Sequence, residues 1–332
     1  MKKCIILSQV LFLVWYIYTE QAVTYEVTSG RFGDNLLSYA HAKWIAYKYN
    51  LPFLYKPFIY SDRLVLHGQE SLYTDEKKES FKNIISLHNE HIIKQLAGLS
   101  ALLVVPYFPE SKWELKTGIS FSGGAWHHFR VDWSDNGFIQ ALKEIVIPCE
   151  PFRSMSLPED RITVAVHVRR GGNYDASGTI SGFPLKFLND DFFISQISNL
   201  YNCFNQQPLY VYIFTDDNCP AQIMDKFKMS FIGCDLQFDC RQQGNCDTAN
   251  VLEDFFALQK FDCLIHSESN FSWLAARLGR HLVSIYPDSF CKINDGIIYD
   301  NINVLINYNH PRIKRLDISK MALCDNIKRD AI

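Results

Sequence analysis

The stretch VAVHVRRGGNYD, residues 164–175, carries the clearest fold signal in this chain. Read with the two residues before it, 162–168 alternates as a buried strand, and two glycines follow almost at once. In an open α/β sheet, ligands bind at the carboxyl end of such a strand. Arg169 and Arg170 sit there, with His167 just before them. Adjacent guanidinium groups are costly to bury unpaired, so either carboxylates neutralise them or an anion arrives from outside. Neighbouring strand residues face opposite ways, so one arginine is expected toward a cleft and the other toward structure. Gly171 and Gly172 open the backbone for close ligand approach. A structural ion-pair cluster around a core histidine is the competing reading.

On either side of this stretch, strands alternate with helices. Residues 190–201 read as a helix and 209–214 as a short apolar strand. Pro220 suits a first helical position in a helix reaching about Lys228. Then come a helix over 250–261, a strand over 263–266, a helix over 269–278 closed by Gly279, and a strand over 282–286. Toward the N-terminus, 22–29 reads as a strand, 30–33 as a turn, and 34–49 as a helix with Leu37, Ala40, Trp44 and Tyr47 on one face. Such alternation predicts an α/β fold with mostly parallel sheets. Three prolines make 147–161 the best linker, so the expected domains are 22–150 and 151–290, with 291–332 as an extension packing back on the first.

Composition narrows the function. Lys and Arg total 33 against 36 Asp and Glu, so no excess positive charge is available for a nucleic-acid backbone. One small phosphorylated ligand needs only one or two well-placed cations. Residues 1–21 carry Lys2 and Lys3 before an apolar run from Cys4 to Tyr18, the pattern of a secretory signal or short membrane anchor. That run is shorter than the ~20 residues that span a bilayer, so it could also be a buried element of a cytoplasmic protein. None of the 10 cysteines forms a C-x-x-C pair, which weakens zinc-ribbon and thioredoxin-type readings. Cys234, Cys240 and Cys246 could form a short disulfide in an oxidising compartment, or remain thiols.

Three further constellations bear on chemistry. In HSESNFSWLAARLG, residues 266–279, Ser269 or Asn270 can cap a helix whose amides would face the same sheet edge, a ready phosphate site when paired with the arginines. Asp216 and Asp217 follow a strand directly but are adjacent, whereas a D-x-D metal site wants alternate positions. Capping or a hydrogen bond to a ligand hydroxyl fits them better. The turn GRFGDN, residues 30–35, lacks the G-x-G-x-x-G spacing of a dinucleotide fold, which disfavours a nicotinamide enzyme.

Taken together these segments resemble the fucosyltransferase superfamily. GRFGDNLLSYAHAKWIA resembles the N-terminal glycine-turn segment, HVRRGGNYD the H-x-R-R-G-D-Y motif, FTDD the F-S-D-D segment, and DFFALQKFDCLIHSESNFSW the D-x-x-x-M-S-x-C…N-S-S-F-S-W block. Order and spacing are most similar to alpha-1,2-fucosyltransferases of glycosyltransferase family 11, with a looser likeness to protein O-fucosyltransferases through G-R-F-G. The likeness covers roughly residues 22–290.

The resemblance implies a GT-B type fold of two Rossmann-like domains facing across a cleft, and inverting transfer of fucose from GDP-fucose to a glycan acceptor without a metal or other cofactor. It carries the donor-phosphate role to Arg170, with His167 and Arg169 nearby, and places Ser269, Asn270, Phe271 and Ser272 beside the nucleotide. Asp216 and Asp217 fall on the donor side, and Gly30, Arg31, Gly33 and Asn35 on the acceptor side. Asp34 is the expected general base, in competition with a capping role. One departure is Gly172, which stands where the family has aspartate; the next carboxylate, Asp175, is displaced by an insertion. That departure keeps a non-catalytic nucleotide-sugar- or glycan-binding relative as one alternative, beside a protein O-fucosyltransferase-like enzyme.

Overall fold

The computed structural model describes residues 21–89, 91–108, 131–152, 155–170, 183–293 and 296–320. The chain divides into two α/β units, the first reaching Phe108 and taking in residues up to Asp132, the second running from Trp133 onward.

The first unit is built on three parallel strands, β1 (Gln21–Tyr25), β2 (Asn83–Ser86) and β3 (Ala101–Val105), in the order β1-β3-β2. Beyond β1, Phe53 continues the sheet as an isolated bridge to Val23. The helix α1 (Phe32–Tyr49) packs on β1 and β3, with Leu36, Leu37 and Ala40 among its buried residues, and ends at Asn50, whose left-handed φ of 49° lets its N–H bond back to the last turn. Its start lies two residues earlier than the periodicity suggests, and β1 ends at Tyr25 rather than at Ser29.

In the second unit six strands lie in the order β6-β5-β4-β7-β8-β9: β4 (Ile162–Val168), β5 (Leu209–Thr215), β6 (Leu236–Cys240), β7 (Cys263–His266), β8 (Val283–Ile293) and β9 (Gly296–Ile306). All pairings are parallel except β8 with β9. Counted from β4 this is the order 3-2-1-4-5-6 of a doubly wound nucleotide-binding sheet. The helices are α2 (Asn136–Ile145), α3 (Asp190–Cys203), α4 (Pro220–Met229), α5 (Val251–Leu258) and α6 (Asn270–Leu278). One face of the sheet, through Val164, Val166, Val168, Val211, Ile213, Ile265 and Ile285, packs against Phe192, Phe193, Ile197 and Leu200 of α3.

Two expectations are revised, and one left open between two readings is decided. The described part of the extension 291–332 is built into the second unit and not the first: β9 closes the second sheet, and Leu316 joins the core of β4 and α3. The division falls at Asp132 and Trp133 rather than in 147–161, because α2 belongs with α6; the Trp133 and Trp273 rings meet edge-on at 4.9 Å. Cys234, Cys240 and Cys246 are thiols. Cys234 lies two residues before the extended strand β6 and Cys240 ends it, which separates them beyond the ~7 Å that a disulfide tolerates. Among the described residues no helix is long and apolar enough to cross a membrane; the apolar run 4–18 lies outside them.

Candidate functional site

β4 and β7 lie side by side in mid-sheet with His167 opposite His266, and chain connections diverge from this pair in opposite directions. Their carboxyl ends mark the topological switch point, the place where doubly wound sheets bind ligands.

The two arginines go separate ways. Arg170 donates to the Leu188 carbonyl at 2.9 Å and ion-pairs with Asp190 in the first turn of α3, which Lys226 also contacts. Its backbone N–H donates to Asp216 Oδ1 at 2.7 Å, tying the end of β4 to the end of β5. Arg169 lies over the Phe187 ring, 5.5 Å from its centroid, and donates to Ser269 Oγ at 3.3 Å. The guanidinium that meets the start of α6 is therefore Arg169's, not Arg170's. Arg170 is held by structural partners, as alternation along the chain demands of one of the pair.

Ser269 is the N-cap of α6, yet its side chain makes no capping bond, and no acidic residue stands in the first turn. Within that turn the positive end of the helix has no carboxylate of its own, and a guanidinium stands beside it. The nearest acidic residue along the chain is Glu268, buried just before the cap. Ser272 Oγ is turned back to the Ser267 and Ser269 carbonyls at 3.3 Å, a structural use, and Phe271 packs against His167 at 5.6 Å between ring centroids. Asn270 opens the helix. Among the described residues His167 Nδ1, His266 Nε2 and Ser267 Oγ are enclosed without hydrogen-bond partners. Burial drives the His266 imidazole down to about 3, and burial with His266 and Arg169 nearby holds His167 well below its ordinary value. Both rings are neutral, so they add no charge to the site at pH 7.

The carboxylates after β5 serve the backbone. Asp217 Oδ1 accepts from the Cys219 N–H at 2.7 Å, turning the chain into α4 with Pro220 at its start. Among the described residues no three His, Cys, Asp or Glu side chains are grouped to hold a metal ion. Beside β5, Asn245 donates to the Thr215 carbonyl and to Asp254, both at 2.9 Å, and Arg241 meets Asp254 at 2.6 Å.

In the first unit the side chains of Asn35 and Asp34 bond within the turn that precedes α1. Asn35 accepts from the Thr28 N–H at 2.8 Å and donates to the Gly30 carbonyl at 2.9 Å. Asp34 Oδ2 accepts from the Arg31 N–H at 3.3 Å, and Tyr107 reaches its other oxygen at 3.5 Å. A Cβ on Gly30 would stand 2.4 Å from Asp34 Oδ2, which explains the glycine. Gly33 is a buried residue of the first turn of α1. Gly171, Gly172 and Asp175 lie outside the described residues.

Sequence reading misses the segment 184–189 that underlies both arginines. Asn189, which caps α3 by accepting from the Phe192 N–H at 3.0 Å, is the available signal, since Asn followed by two aspartates is an N-cap signature.

No protein-family model matches the chain, and no curated protein does. Among solved structures it is similar to a point mutant of Arabidopsis thaliana FUT1 in complex with GDP, at 13% identity and a TM-score of 0.46, over 78% of this chain and 69% of that one. It is also similar to POFUT1 in complex with GDP, at 11% identity and a TM-score of 0.40, over 78% of this chain and 95% of that one. At such distances function has to be argued from the chain's own residues. Those residues define an α/β protein whose second sheet brings Arg169 to the start of α6 at its switch point.

Proposed function

We propose that this chain is a glycosyltransferase that moves fucose from GDP-fucose to a sugar hydroxyl of a glycan acceptor. The observation that carries the reading is the meeting of Arg169 with Ser269 at the start of α6, beyond the ends of β4 and β7. A guanidinium beside an uncapped helix N-terminus suits a diphosphate. The fucosyl donor is inferred from the motif likeness; alpha-1,2 linkage to a galactoside, inversion and independence of metal belong to the same proposal.

In this reaction the acceptor oxygen bonds to the anomeric carbon while the bond from that carbon to the β-phosphate oxygen breaks, and GDP leaves with the electron pair. Arg169 and the α6 dipole stabilise the charge that grows on the β-phosphate, without reorganising during the step. Arg170 acts through structure, fixing the segment beneath Arg169. The acceptor proton goes to a carboxylate, for which Asp34 would have to leave the Arg31 amide that it now accepts from.

That engagement favours a second reading, a nucleotide-sugar-binding protein without transferase activity. The two are separated by following fucose release from GDP-fucose with and without glycan acceptors. The donor is tested by thermal shift against GDP-fucose, GDP and UDP-sugars in EDTA. GDP-fucose should give the largest shift; a larger UDP-sugar shift or a strict need for a divalent ion overturns the assignment. Residues 1–21 as a signal or anchor directing the chain into the secretory pathway complete the proposal. A chain beginning at Gln21 keeps β1 and should bind donor, whereas one beginning at Arg31 should not fold.

A further inference from the structure

We propose that Tyr299 is a positioning residue for the anion site, acting through the segment 184–189 on both arginines; this rests on the site reading above. Tyr299 lies on β9, the antiparallel strand that closes the second sheet. Its hydroxyl accepts from the Asn189 N–H at 3.2 Å and donates to the Pro184 carbonyl at 3.3 Å, so one phenol ties the two ends of the segment together. Its ring meets Phe192 of α3 edge-on at 5.2 Å, which fixes the direction from which the hydroxyl approaches.

What the segment carries is turned to the strand ends. The Phe187 ring supports the Arg169 guanidinium, and the Leu188 carbonyl accepts from Arg170. The Leu185 carbonyl accepts from the Glu268 N–H at 2.8 Å, immediately before the N-cap of α6. A loose segment would let the Phe187 ring and the Leu188 carbonyl drift, and the Arg169 guanidinium would lose its fixed direction toward Ser269. Preorganised donors are worth most when they need not reorient, so the hydroxyl of Tyr299 bears on anion affinity although the residue is not among the site's own donors.

The test compares two matched variants, Tyr299→Phe and Tyr210→Phe. Each removes one phenol hydroxyl and keeps the ring; Tyr210 donates to Asp239 at 2.9 Å in the same unit, away from the segment. Binding of inorganic pyrophosphate and of GDP is measured by calorimetry on the full chain, with amide hydrogen exchange over 184–189. Tyr299→Phe should weaken both ligands about fivefold, the effect of one lost hydrogen bond, and speed exchange in the segment, while Tyr210→Phe leaves both readouts unchanged. Faster exchange with unchanged affinity, no change in either readout, or an equal loss in Tyr210→Phe would each overturn the role of Tyr299 and leave the site reading standing. A wild-type chain that binds neither pyrophosphate nor GDP would overturn the site reading, and this proposal with it.

Discussion

Two helix starts in this molecule follow a strand and a short turn, and they resolve the same electrostatic problem in opposite ways. At α1 the turn supplies its own anion: Asp34, in the first turn, accepts from the Arg31 N–H, and Asn35 holds the Thr28 N–H and the Gly30 carbonyl. At α6 the cap hydroxyl is given to Arg169, and no acidic side chain stands in the first turn. A helix start satisfied from within has little left to offer a ligand, whereas one that gathers more positive charge favours an anion beside it. A glycine turn and a capped helix look alike as sequence; which side chains neutralise them separates a structural turn from a candidate site.

That contrast depends most on Arg169, where the largest effect is expected. Arg169→Lys keeps the charge but loses the planar fork over Phe187 and toward Ser269, and should cost about 100-fold in pyrophosphate and GDP affinity or in turnover. Arg170→Lys should cost far less in affinity and should show chiefly as a lower melting temperature, since Arg170 is spent on Asp190 and the Leu188 carbonyl. Calorimetric titration of both variants decides between them. A larger loss of affinity in Arg170→Lys would return the phosphate role to that residue.

The next effect is acid sensitivity of the second unit. Burial drives His266 down to about 3 and His281 to about 4, while in the unfolded chain each titrates at ~6.5. Between those values the unfolded state binds protons that the native state refuses. The stability these neutral rings contribute is therefore complete above pH ~6.5 and falls as the pH drops through that window. At pH 5 the loss should be about 2 kcal/mol for each ring, read as a lower denaturation midpoint than at pH 7.5. His281→Asn should flatten the dependence; an unchanged pH profile in that variant would mean that the ring titrates normally in the fold.

How much of this is legible in the sequence follows from what each element depends on. The strand 162–168 and the helix after β7 can be read almost to the residue, because alternation, a cap and Gly279 are written locally. The helix α3 is visible but runs two residues further than its pattern, to Cys203. The strands β2, β3, β6 and β9 escape the reading: β2 is a four-residue strand at a sheet edge, and β9 owes its place to antiparallel pairing with β8, which no local pattern announces. The same limit applies at the site. Two adjacent arginines at a strand end are visible, but their division of labour depends on Asp190 and Phe187, about twenty residues away along the chain.

A moderate effect is expected at Gly30, by the other helix start. Gly30→Ala would bring a Cβ within 2.4 Å of Asp34 Oδ2 and push the carboxylate off the Arg31 amide. Loss of that cap should cost about 1 kcal/mol in the first unit, seen as a lower melting temperature, with GDP affinity unchanged if the donor site is where Arg169 lies.

The smallest effect discriminates best, because it sets the two helix starts against each other by the same chemical change. Asp34→Ala removes a side chain that caps α1, and should cost about 1 kcal/mol of stability with no change in pyrophosphate affinity. Ser269→Ala removes an N-cap hydroxyl that makes no capping bond, so its cost in stability should be smaller than that of a working cap. What it should lose is the acceptor that orients Arg169 at 3.3 Å, and with it about threefold in pyrophosphate affinity. Urea denaturation and calorimetric titration of both variants give a two-by-two outcome: stability lost and affinity kept at α1, affinity lost and stability kept at α6. If Ser269→Ala instead lost the stability of an ordinary cap and kept its affinity, the start of α6 would be a structural turn like that of α1, and the anion would have to bind elsewhere.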